Sequence, residues 1–211
     1  IIYPFTYFIP PSNINNSISS SSNKFIFIFC GFLGPRKRPK LIIDSLKRLV
    51  ELGRDDFELW IVGSGDLEQE LRTLSKKYGL SVKWFGFQNI DNVRRYISEA
   101  DCLLLPSKHD GWGVVASEAI IEGTPVICSD SCGVAGVVAK SGYGSVFRTN
   151  DTESFISMLV KHYDCGKVSE HERNLLKKWG SSLTAPQGAR YVDKILFSSG
   201  NIKPTAPFYK N

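Results

Sequence analysis

Short apolar runs alternate with amphipathic stretches along most of this 211-residue chain. Runs such as FIFIFC and CLLL are apolar at every position, which is typical of strands that are covered on both faces. Glycines, or a glycine-rich turn, follow several of these runs and separate them from the next stretch. The pattern predicts six strands, at Phe25–Cys30, Phe57–Val62, Val82–Phe85, Cys102–Leu105, Pro125–Cys128 and Ser145–Phe147.

The stretches between these strands carry apolar residues at helical spacing. They predict helices at Leu41–Leu52, Leu67–Tyr78, Asn92–Ala100 and Gly113–Ile121, and two or three more from Glu153 onward. Strands that alternate with helices predict an α/β fold, here a Rossmann-like doubly wound parallel sheet with helices on both faces and a helical C-terminal tail. Ligands bind at the carboxyl ends of strands in such sheets, so the loops directly after the strands are the candidate sites.

The same pattern suggests how the chain is organised. Residues 1–23 are predicted to be an interdomain linker, because they are rich in proline and then in serine and asparagine. Residues 24–168 are predicted to form the Rossmann-like domain, and residues 169–211 the C-terminal helices and tail. The opening has no initiator methionine and no basic leader, so we expect the chain to begin within a longer protein.

Composition narrows the class of protein. The chain is 42% hydrophobic and 22% charged, which suits a globular domain with a real core, and its net charge of +5 is too small to argue for nucleic acid. The odd number of cysteines, five, and the apolar setting of Cys30, Cys102 and Cys128 indicate buried thiols in a reducing compartment. Cys128 and Cys132 have no second pair at zinc-ligand spacing, so no metal site is predicted.

The loop after the first strand concentrates positive charge at the start of a helix. It reads GFLGPRKRPK, with Gly31 at its start and Arg36, Lys37, Arg38 and Lys40 near the helix. A helix N-terminus already favours an anion, so a phosphate or diphosphate would relieve the repulsion between these cations. A solvated basic turn is one alternative, and a nucleic-acid patch is another, which no aromatic interleaving or second basic stripe supports.

A glycine-rich turn, GSGD, follows the second strand. It contains Gly63 and Gly65, but Glu68 stands where a dinucleotide fingerprint would need its third glycine. The turn therefore fails as a Rossmann oxidoreductase signature. Either it passes close to a ligand or it is a purely structural turn.

The loop after the fourth strand carries the strongest chemical signal. Asp110 lies in the loop and Glu118 lies in the helix that follows, and His109 precedes them. Gly111 and Gly113 leave backbone amides free at the helix start, where they could cradle a diphosphate. A carboxylate further along the helix could accept hydrogen bonds from a ribose diol.

The run HDGWGVVASEAIIEGTPVICSD resembles the acidic–seven-residue–glutamate motif of retaining glycosyltransferases of the GT-B fold, most of all glycosyltransferase family 4. The segments GFLGPRK, LWIVGSGD, VKWFGF and EADCLLLPS occur in the order that this family shows, and IIYPFTYFIPP is similar to the linker into its second domain. The resemblance covers roughly residues 1–165. It implies that the chain is the donor-binding half of such an enzyme.

The resemblance also implies roles for individual residues. Glu118 matches the glutamate that binds ribose, Asp110 matches the acid that contacts the donor sugar, and Lys37 matches the lysine that grips the diphosphate, so these three are the candidate catalytic residues. Phe87 matches a position that holds the base through its backbone. The candidate donor-binding residues are Gly31, Arg36, Arg38, Gly63, Gly65, Phe87, His109, Gly111, Trp112, Gly113 and Val114.

The chain departs from the family pattern at two of these positions. Phe32 stands where an arginine is common, and Arg36 or Arg38 is the candidate replacement for that cation. Asp110 stands where glutamate is more common, so its reach is one methylene shorter and the preferred donor sugar could differ.

The resemblance implies transfer of a sugar from a nucleotide-diphosphate sugar, carrying UDP or GDP, to a glycan or lipid-linked acceptor with retention of configuration. No divalent metal site is expected, since the chain has no DxD triplet. No cofactor is expected either, because the nucleotide sugar is the substrate. The acceptor site and a catalytic histidine would lie in a missing N-terminal acceptor domain, so this chain alone should be inactive. No nucleic-acid partner is predicted. We expect a cytoplasmic location, with peripheral attachment to the inner face of a membrane if the missing domain provides it.

Other classes of protein remain open at this point. One is a non-catalytic nucleotide-sugar-binding module, which the missing arginine at Phe32 favours and the intact Lys37 and Glu118 oppose. Another is a related GT-B enzyme, such as a nucleotide-sugar epimerase or a phosphorylase with a pyridoxal lysine. A nicotinamide dehydrogenase is disfavoured by the broken glycine pattern.

Overall fold

The fold is a single six-stranded parallel sheet with helices on both faces. The computed structural model describes residues 23–197 and 205–209. The strands lie in the order β3-β2-β1-β4-β5-β6, and every neighbouring pair is parallel. The strands are β1 Phe25–Cys30, β2 Phe57–Val62, β3 Val82–Gly86, β4 Cys102–Leu105, β5 Val126–Ser129 and β6 Ser145–Phe147.

Eight α-helices within the described residues surround this sheet. The helices are α1 Pro39–Glu51, α2 Glu68–Lys77, α3 Ile90–Glu99, α4 Val114–Ile121, α5 Ala135–Lys140, α6 Thr152–Asp164, α7 Glu170–Gly180 and α8 Ala185–Phe197. A short 3-10 turn at Ser181–Leu183 lies between α7 and α8, and another lies at Pro207–Tyr209, after α8. The doubly wound α/β fold predicted from the alternation of strands and helices is confirmed.

The central strand shows why the sheet needs cover on both faces. In β1, Phe25, Phe27 and Phe29 point into a core that is closed by α1, α2 and α6. Ile26 and Ile28 point into a second core, which α3, α4, α5 and α7 close from the other side. Side chains alternate between the faces of a strand, so a strand that is apolar at every position requires two cores.

The direction of winding reverses between β1 and β4. The chain runs outward from β1 through β2 to β3, crosses the sheet, and then runs outward in the other direction from β4 to β6. The loops after β1 and β4 therefore diverge to opposite faces and leave a crevice between them at the carboxyl edge of the sheet. Open α/β sheets bind their ligands at this position.

One helix was not anticipated from the sequence. The helix α5, with the sequence AGVVAK, contains a glycine and two β-branched valines, which are poor helix formers. Its Val137 and Val138 are buried in the core beside β5, so tertiary packing supports the helix despite its weak propensity. The other elements match their predictions to within two residues at each end where a boundary was stated.

The predicted linker, residues 1–23, lies outside the described residues except for Asn23, as do residues 198–204, 210 and 211 of the predicted tail. The domain boundaries stay predictions. Cys30, Cys102, Cys128 and Cys132 are buried and Cys165 is exposed, and none of the five is paired in a disulfide. Within residues 23–197 and 205–209, no helix combines the length and apolarity needed to cross a bilayer.

A partly buried histidine makes the stability of this fold depend on pH. The Nε2 atom of His162, in α6, lies 3.0 Å from the Ser145 hydroxyl of β6. Burial, with a smaller effect of the Lys161 charge, lowers the pKa of His162 to about 4. A histidine in an unfolded chain has a pKa of about 6.5. Between the folded and the unfolded pKa, the unfolded chain therefore binds more protons than the folded chain.

We expect His162 to lower the free energy of unfolding by about 2 kcal/mol as the pH falls from 7.5 to 5. The loss develops between the pKa of the folded protein and that of the unfolded chain. The measurement is urea unfolding of the wild type and His162→Gln at both pH values. Relative to the wild type, the free energy of unfolding of the variant should be higher by that amount at pH 5 than at pH 7.5. The matched control is His171→Gln, which makes the same change at an exposed position. Equal pH dependence in the wild type and His162→Gln would contradict the prediction.

Candidate nucleotide-binding crevice

The crevice at the switch point opens into a cavity of about 450 Å³. Residues at the ends of β1, β2 and β3 form one wall, and residues of α3 and α4 form the other. The cavity is lined by Cys30, Gly31, Phe32, Val62, Gly63, Ser64, Phe87, Gln88, Ile90, Val93, Val115 and Glu118. A pocket of this size, mostly apolar with a few polar groups, is typical of small-molecule sites.

Glu118 places a buried carboxylate in this cavity. The residue lies in the second turn of α4 and is 6% exposed. Its carboxylate has no hydrogen-bond or ion-pair partner among the residues that the structure describes. Burial raises the pKa of Glu118, the positive charge of Arg94 opposes the rise, and the charge of Glu122 adds to it. A buried carboxylate without a partner is costly, so the free protein keeps an acceptor ready for a ligand.

The acid at the C-cap of α4 is already paired. Glu122 is 2% exposed, and its carboxylate accepts a hydrogen bond from Arg94 of α3 at 2.8 Å. This buried ion pair joins α3 to α4, one turn away from Glu118. Sequence reasoning did not single out Arg94, because its importance depends on two helices meeting in space.

Lys37 and Asp110 form an ion pair between the loops after β1 and β4. The Lys37 Nζ atom lies 2.5 Å from Asp110 Oδ2, and the two side chains are only 15% and 13% exposed. The backbones of these loops are also joined, because Lys108 N donates to the Arg36 carbonyl at 2.8 Å. Two residues predicted to share a site are therefore in direct contact across the switch point.

Arg36 does not reach the cavity lining but supports the adjacent loop. Its guanidinium donates a hydrogen bond of 2.9 Å to the backbone carbonyl of His109, whose side chain is exposed. Arg38 begins α1 and donates to the Thr149 carbonyl, beyond the end of β6. In this structure both candidate replacements for the cation missing at Phe32 are bonded to backbone carbonyls.

The start of α4 presents unpaired backbone amides close to the lysine. Gly113 is the N-cap residue with φ of 90°, and no side chain caps the helix. The first amides of a helix have no intrahelical acceptor, and the helix dipole makes this end attractive to anions. A Cβ at Gly113 would lie 2.7 Å from Leu105 Cδ2, so packing as well as φ requires glycine here.

Around the start of α4, one of the predicted binding side chains is buried and another is exposed. Trp112 is 6% exposed, and its indole nitrogen donates to the Ser117 hydroxyl at 3.0 Å, so it packs beneath the loop. Val114 is 42% exposed, beside the cavity-lining Val115. A Cβ on Gly111 would meet nothing within 4 Å, so this backbone is open to a ligand.

The glycines after β2 allow two loops to lie backbone against backbone. A Cβ on Gly63 would lie 2.0 Å from the Gly31 carbonyl oxygen, and one on Gly65 would lie 2.7 Å from Leu33 N. These contacts give a structural reason for both glycines. Gly63 and Gly31 also line the cavity, whereas Gly65 is not among its lining residues.

Exposed apolar side chains stand at the mouth of the cavity. Phe87 is 84% exposed, Ile90 is 61% exposed and Phe32 is 56% exposed, and all three line the cavity. Of these, sequence reasoning identified only Phe87 as a binding residue. Ile90 and the neighbouring Gln88 begin or precede α3, and nothing in their local sequence distinguishes them from an ordinary helix start.

A smaller cavity of about 190 Å³ lies at the opposite, amino end of the sheet, where Asp101, Ser145 and His162 contribute to its lining. It contains none of the residues predicted to carry chemistry. Within the described part of the chain, no group of three or more His, Cys, Asp and Glu side chains is arranged to hold a metal ion.

The fold and this crevice define the class: a doubly wound α/β domain with a cavity and a buried carboxylate at the switch point. The model of the family "Glycosyl transferases group 1" matches residues 12–178, and the chain belongs to that family. The chain is 30% identical to an uncharacterized glycosyltransferase of Methanocaldococcus jannaschii, over 60% of this chain and 32% of the relative.

Another relative agrees with this assignment, and a solved structure shares the fold. The chain is 29% identical to the UDP-Gal:alpha-D-GlcNAc-diphosphoundecaprenol alpha-1,3-galactosyltransferase of Escherichia coli, over 74% of this chain and 41% of the relative. HepE of Anabaena, solved in complex with UDP, superposes with a TM-score of 0.69 at 18% identity, over 82% of this chain and 49% of HepE. The chain thus spans about a third to a half of the length of the relatives it matches.

Proposed function

We propose that this chain is the donor-binding half of a retaining glycosyltransferase and that it holds a nucleotide-diphosphate sugar in the crevice between the loops after β1 and β4. The observation that carries the proposal is Glu118, a carboxylate that is 6% exposed, has no partner among the described residues and lines a cavity of about 450 Å³. A ribose diol offers two hydroxyl donors, which match the two oxygens of such a carboxylate.

The rest of the crevice suits the other parts of the donor. The apolar side chains of Phe87, Ile90 and Val93 offer a wall against which a planar base can pack. The diphosphate would then lie toward the uncapped start of α4 and Lys37, where backbone amides and an ammonium group can neutralise it. Base, ribose and diphosphate thus follow one another along the carboxyl edge of the sheet.

Sugar transfer requires that the departing nucleoside diphosphate carry away negative charge. The amides at the start of α4 are held by the backbone, and Lys37 joins them once it exchanges Asp110 for the diphosphate, so that together they would stabilise that charge without a divalent metal. Loss of one such preorganised donor typically costs on the order of 3–4 kcal/mol of transition-state stabilisation. Metal-independent transfer is therefore part of the proposal.

The finer features rest on the family. Retention of configuration, an acceptor bound by a separate N-terminal domain and a glycan or lipid-linked acceptor are proposed by analogy with family members. The Escherichia coli relative, whose name specifies a UDP-sugar donor and a diphosphoundecaprenol-linked acceptor, supports this class of substrates. Because the chain spans less than half of that relative, we propose that it binds the donor but does not transfer sugar alone.

A second candidate is a non-catalytic nucleotide-sugar-binding module. Phe32, which takes the position of a common family arginine, is 56% exposed at the cavity mouth and brings no charge to the diphosphate. Arg36 is occupied with the His109 carbonyl. Release of sugar from the bound donor by the whole protein, assayed with and without acceptor lipids, separates the two candidates.

The proposal is tested by calorimetric titration of the 211-residue chain with UDP, GDP, ADP and TDP. We expect selective binding of one of them, with a preference for the ribose form over the matching 2′-deoxy form, because Glu118 contacts the diol. Binding of none of the four, by this chain and by a longer protein that contains it, would overturn the proposal. Equal binding of the ribose and deoxyribose forms would remove the assigned role of Glu118.

A further inference from the structure

The ion pair between Lys37 and Asp110 occupies the groups that the donor needs. The Nζ and Oδ2 atoms lie 2.5 Å apart, and both side chains are largely withdrawn from solvent. The lysine stem passes Gly31, since its Cε would lie 3.9 Å from a Cβ built on that glycine. In the free protein the positive charge of Lys37 is therefore already neutralised by a carboxylate.

The loops do not depend on this ion pair to stay together. Lys108 N donates to the Arg36 carbonyl, and the Arg36 guanidinium donates to the His109 carbonyl. Asp110 is held through its own backbone, because its amide donates to the Ser131 carbonyl and its carbonyl accepts from Gly133 N. The two side chains can thus exchange partners by rotation while the backbone stays in place.

A diphosphate and a sugar act on this pair in opposite ways. A diphosphate presents only acceptor oxygens, so it attracts Lys37 and leaves Asp110 as an unpaired carboxylate beside a second anion. A sugar attached to the same diphosphate brings hydroxyl groups, which can donate hydrogen bonds to the released carboxylate. The hydroxyl groups of the intact donor therefore replace the Lys37 ammonium group that Asp110 loses, whereas the free diphosphate offers Asp110 no such partner.

We propose that the Lys37–Asp110 ion pair makes this site discriminate between an intact nucleotide sugar and the nucleoside diphosphate that remains after transfer. The inference rests on the proposed donor-binding function and goes beyond it, since it states that Asp110 lowers the affinity of the site for the product nucleoside diphosphate. Donor binding exchanges the ion pair for a lysine–phosphate contact and a carboxylate–hydroxyl contact. When the sugar departs, Asp110 again competes for Lys37 and weakens the hold on the diphosphate.

The test compares free and sugar-linked forms of the same diphosphate on Asp110→Asn and Asp110→Ala. The probes are UDP with UDP-glucose and UDP-galactose, and GDP with GDP-mannose, titrated into the 211-residue chain. Both variants should bind the free diphosphate about fivefold more tightly than the wild type, as expected for release of a partly exposed ion pair. Affinity for the sugar-linked form should stay level or fall, so the preference for the intact donor narrows by at least the same factor.

Asp130→Asn is the matched control. Asp130 follows β5 at the same edge of the sheet, and its carboxylate accepts from Thr149 N at 3.0 Å instead of contacting Lys37. This substitution removes the same charge, so a comparable gain in Asp130→Asn would attribute the effect to net charge and overturn the inference. Thermal unfolding of each variant confirms that the measured protein is folded.

The outcomes separate the two proposals. Binding that is lost in Glu118→Ala but not strengthened in either Asp110 variant would overturn the discrimination by Asp110 and leave donor binding intact. Tighter binding of the sugar-linked form together with the free form would also overturn it, because the sugar would then gain nothing from the carboxylate. Failure of the wild type and every variant to bind any probe would overturn donor binding, and the inference with it.

Discussion

Glu118→Gln is expected to weaken binding of the selected nucleoside diphosphate while it stabilises the free protein. Glutamine keeps one acceptor oxygen without its charge and replaces the other with an amide donor, so both charge-assisted hydrogen bonds are weakened or lost, at a cost of about 2–3 kcal/mol of binding free energy. This corresponds to a roughly 30- to 160-fold rise in Kd. The gain in stability has a separate origin, since glutamine removes a buried charge that has no partner in the described part of the chain.

The pH dependence of this gain follows from the direction of the pKa shift. Burial raises the pKa of Glu118 in the folded protein, so the folded state holds its proton more strongly than the unfolded state. Below the unfolded value of about 4.3, wild type and variant should therefore be similar in this respect. As the pH rises through the folded pKa, the wild type loses stability that Glu118→Gln retains. Urea unfolding across this range, with calorimetric titration at neutral pH, measures both effects.

Glu122→Gln is the matched control one turn along the same helix. The same chemical change there removes the charge that pairs with buried Arg94 at 2.8 Å. Breaking one side of a buried ion pair leaves the other charge uncompensated, so this variant should lose about 3 kcal/mol of unfolding free energy. If both glutamates respond alike in stability, the contrast between an unpartnered and a partnered carboxylate is wrong.

Gly63→Ala is expected to lose about 3 kcal/mol or more of unfolding free energy. The new Cβ would lie 2.0 Å from the Gly31 carbonyl oxygen, which is backbone and cannot rotate away. The φ of 130° at this position is also strained for a residue with a side chain. Overpacking of this kind forces the backbone to shift, and here the loop that moves carries Gly31 and leads to Lys37.

The measurement is urea unfolding together with titration of the nucleoside diphosphate, because displacement of the loop after β1 should weaken binding as well. Gly136→Ala is the control, since a Cβ there meets nothing within 4 Å and the residue lies inside α5 without a positive φ. That variant should be neutral or slightly more stable, as alanine favours a helix more than glycine does. A wild-type free energy of unfolding for Gly63→Ala would show that the two loops do not approach as described.

Much of the fold could be predicted because its central strands are apolar throughout. Four of the six strands, Phe25–Cys30, Phe57–Val62, Cys102–Leu105 and Ser145–Phe147, end where the sequence pattern ends. The helix Ala135–Lys140 was missed, because its local sequence favours no helix and its valines are stabilised by the core. The local sequence pattern predicts helices and strands whose own residues favour that structure. It misses an element such as this helix, which tertiary packing stabilises against its propensity.

The candidate site was predictable in part for a related reason. Lys37, Asp110 and Glu118 lie in loops or helix starts that directly follow strands, so parallel topology alone brings them to one edge of the sheet. Their proposed roles in binding the donor remain predictions. Ile90, which lines the cavity, and Arg94, which pairs with Glu122, were missed because they lie on a helix whose position depends on the crossover from β3 to β4.

The sequence by itself determined that the chain forms a doubly wound sheet, which loops follow its strands at the carboxyl edge, and the family motif that these loops resemble. It could do so because apolar periodicity and motif spacing are local properties of the chain. Only the tertiary structure decided how each charge is used. Among the residues that the structure describes, it left Glu118 buried without a partner, paired Lys37 with Asp110 and directed Arg36 and Arg38 to backbone carbonyls. Burial and ion pairing depend on which distant residues meet, and in this protein those meetings occur between loops more than 70 positions apart.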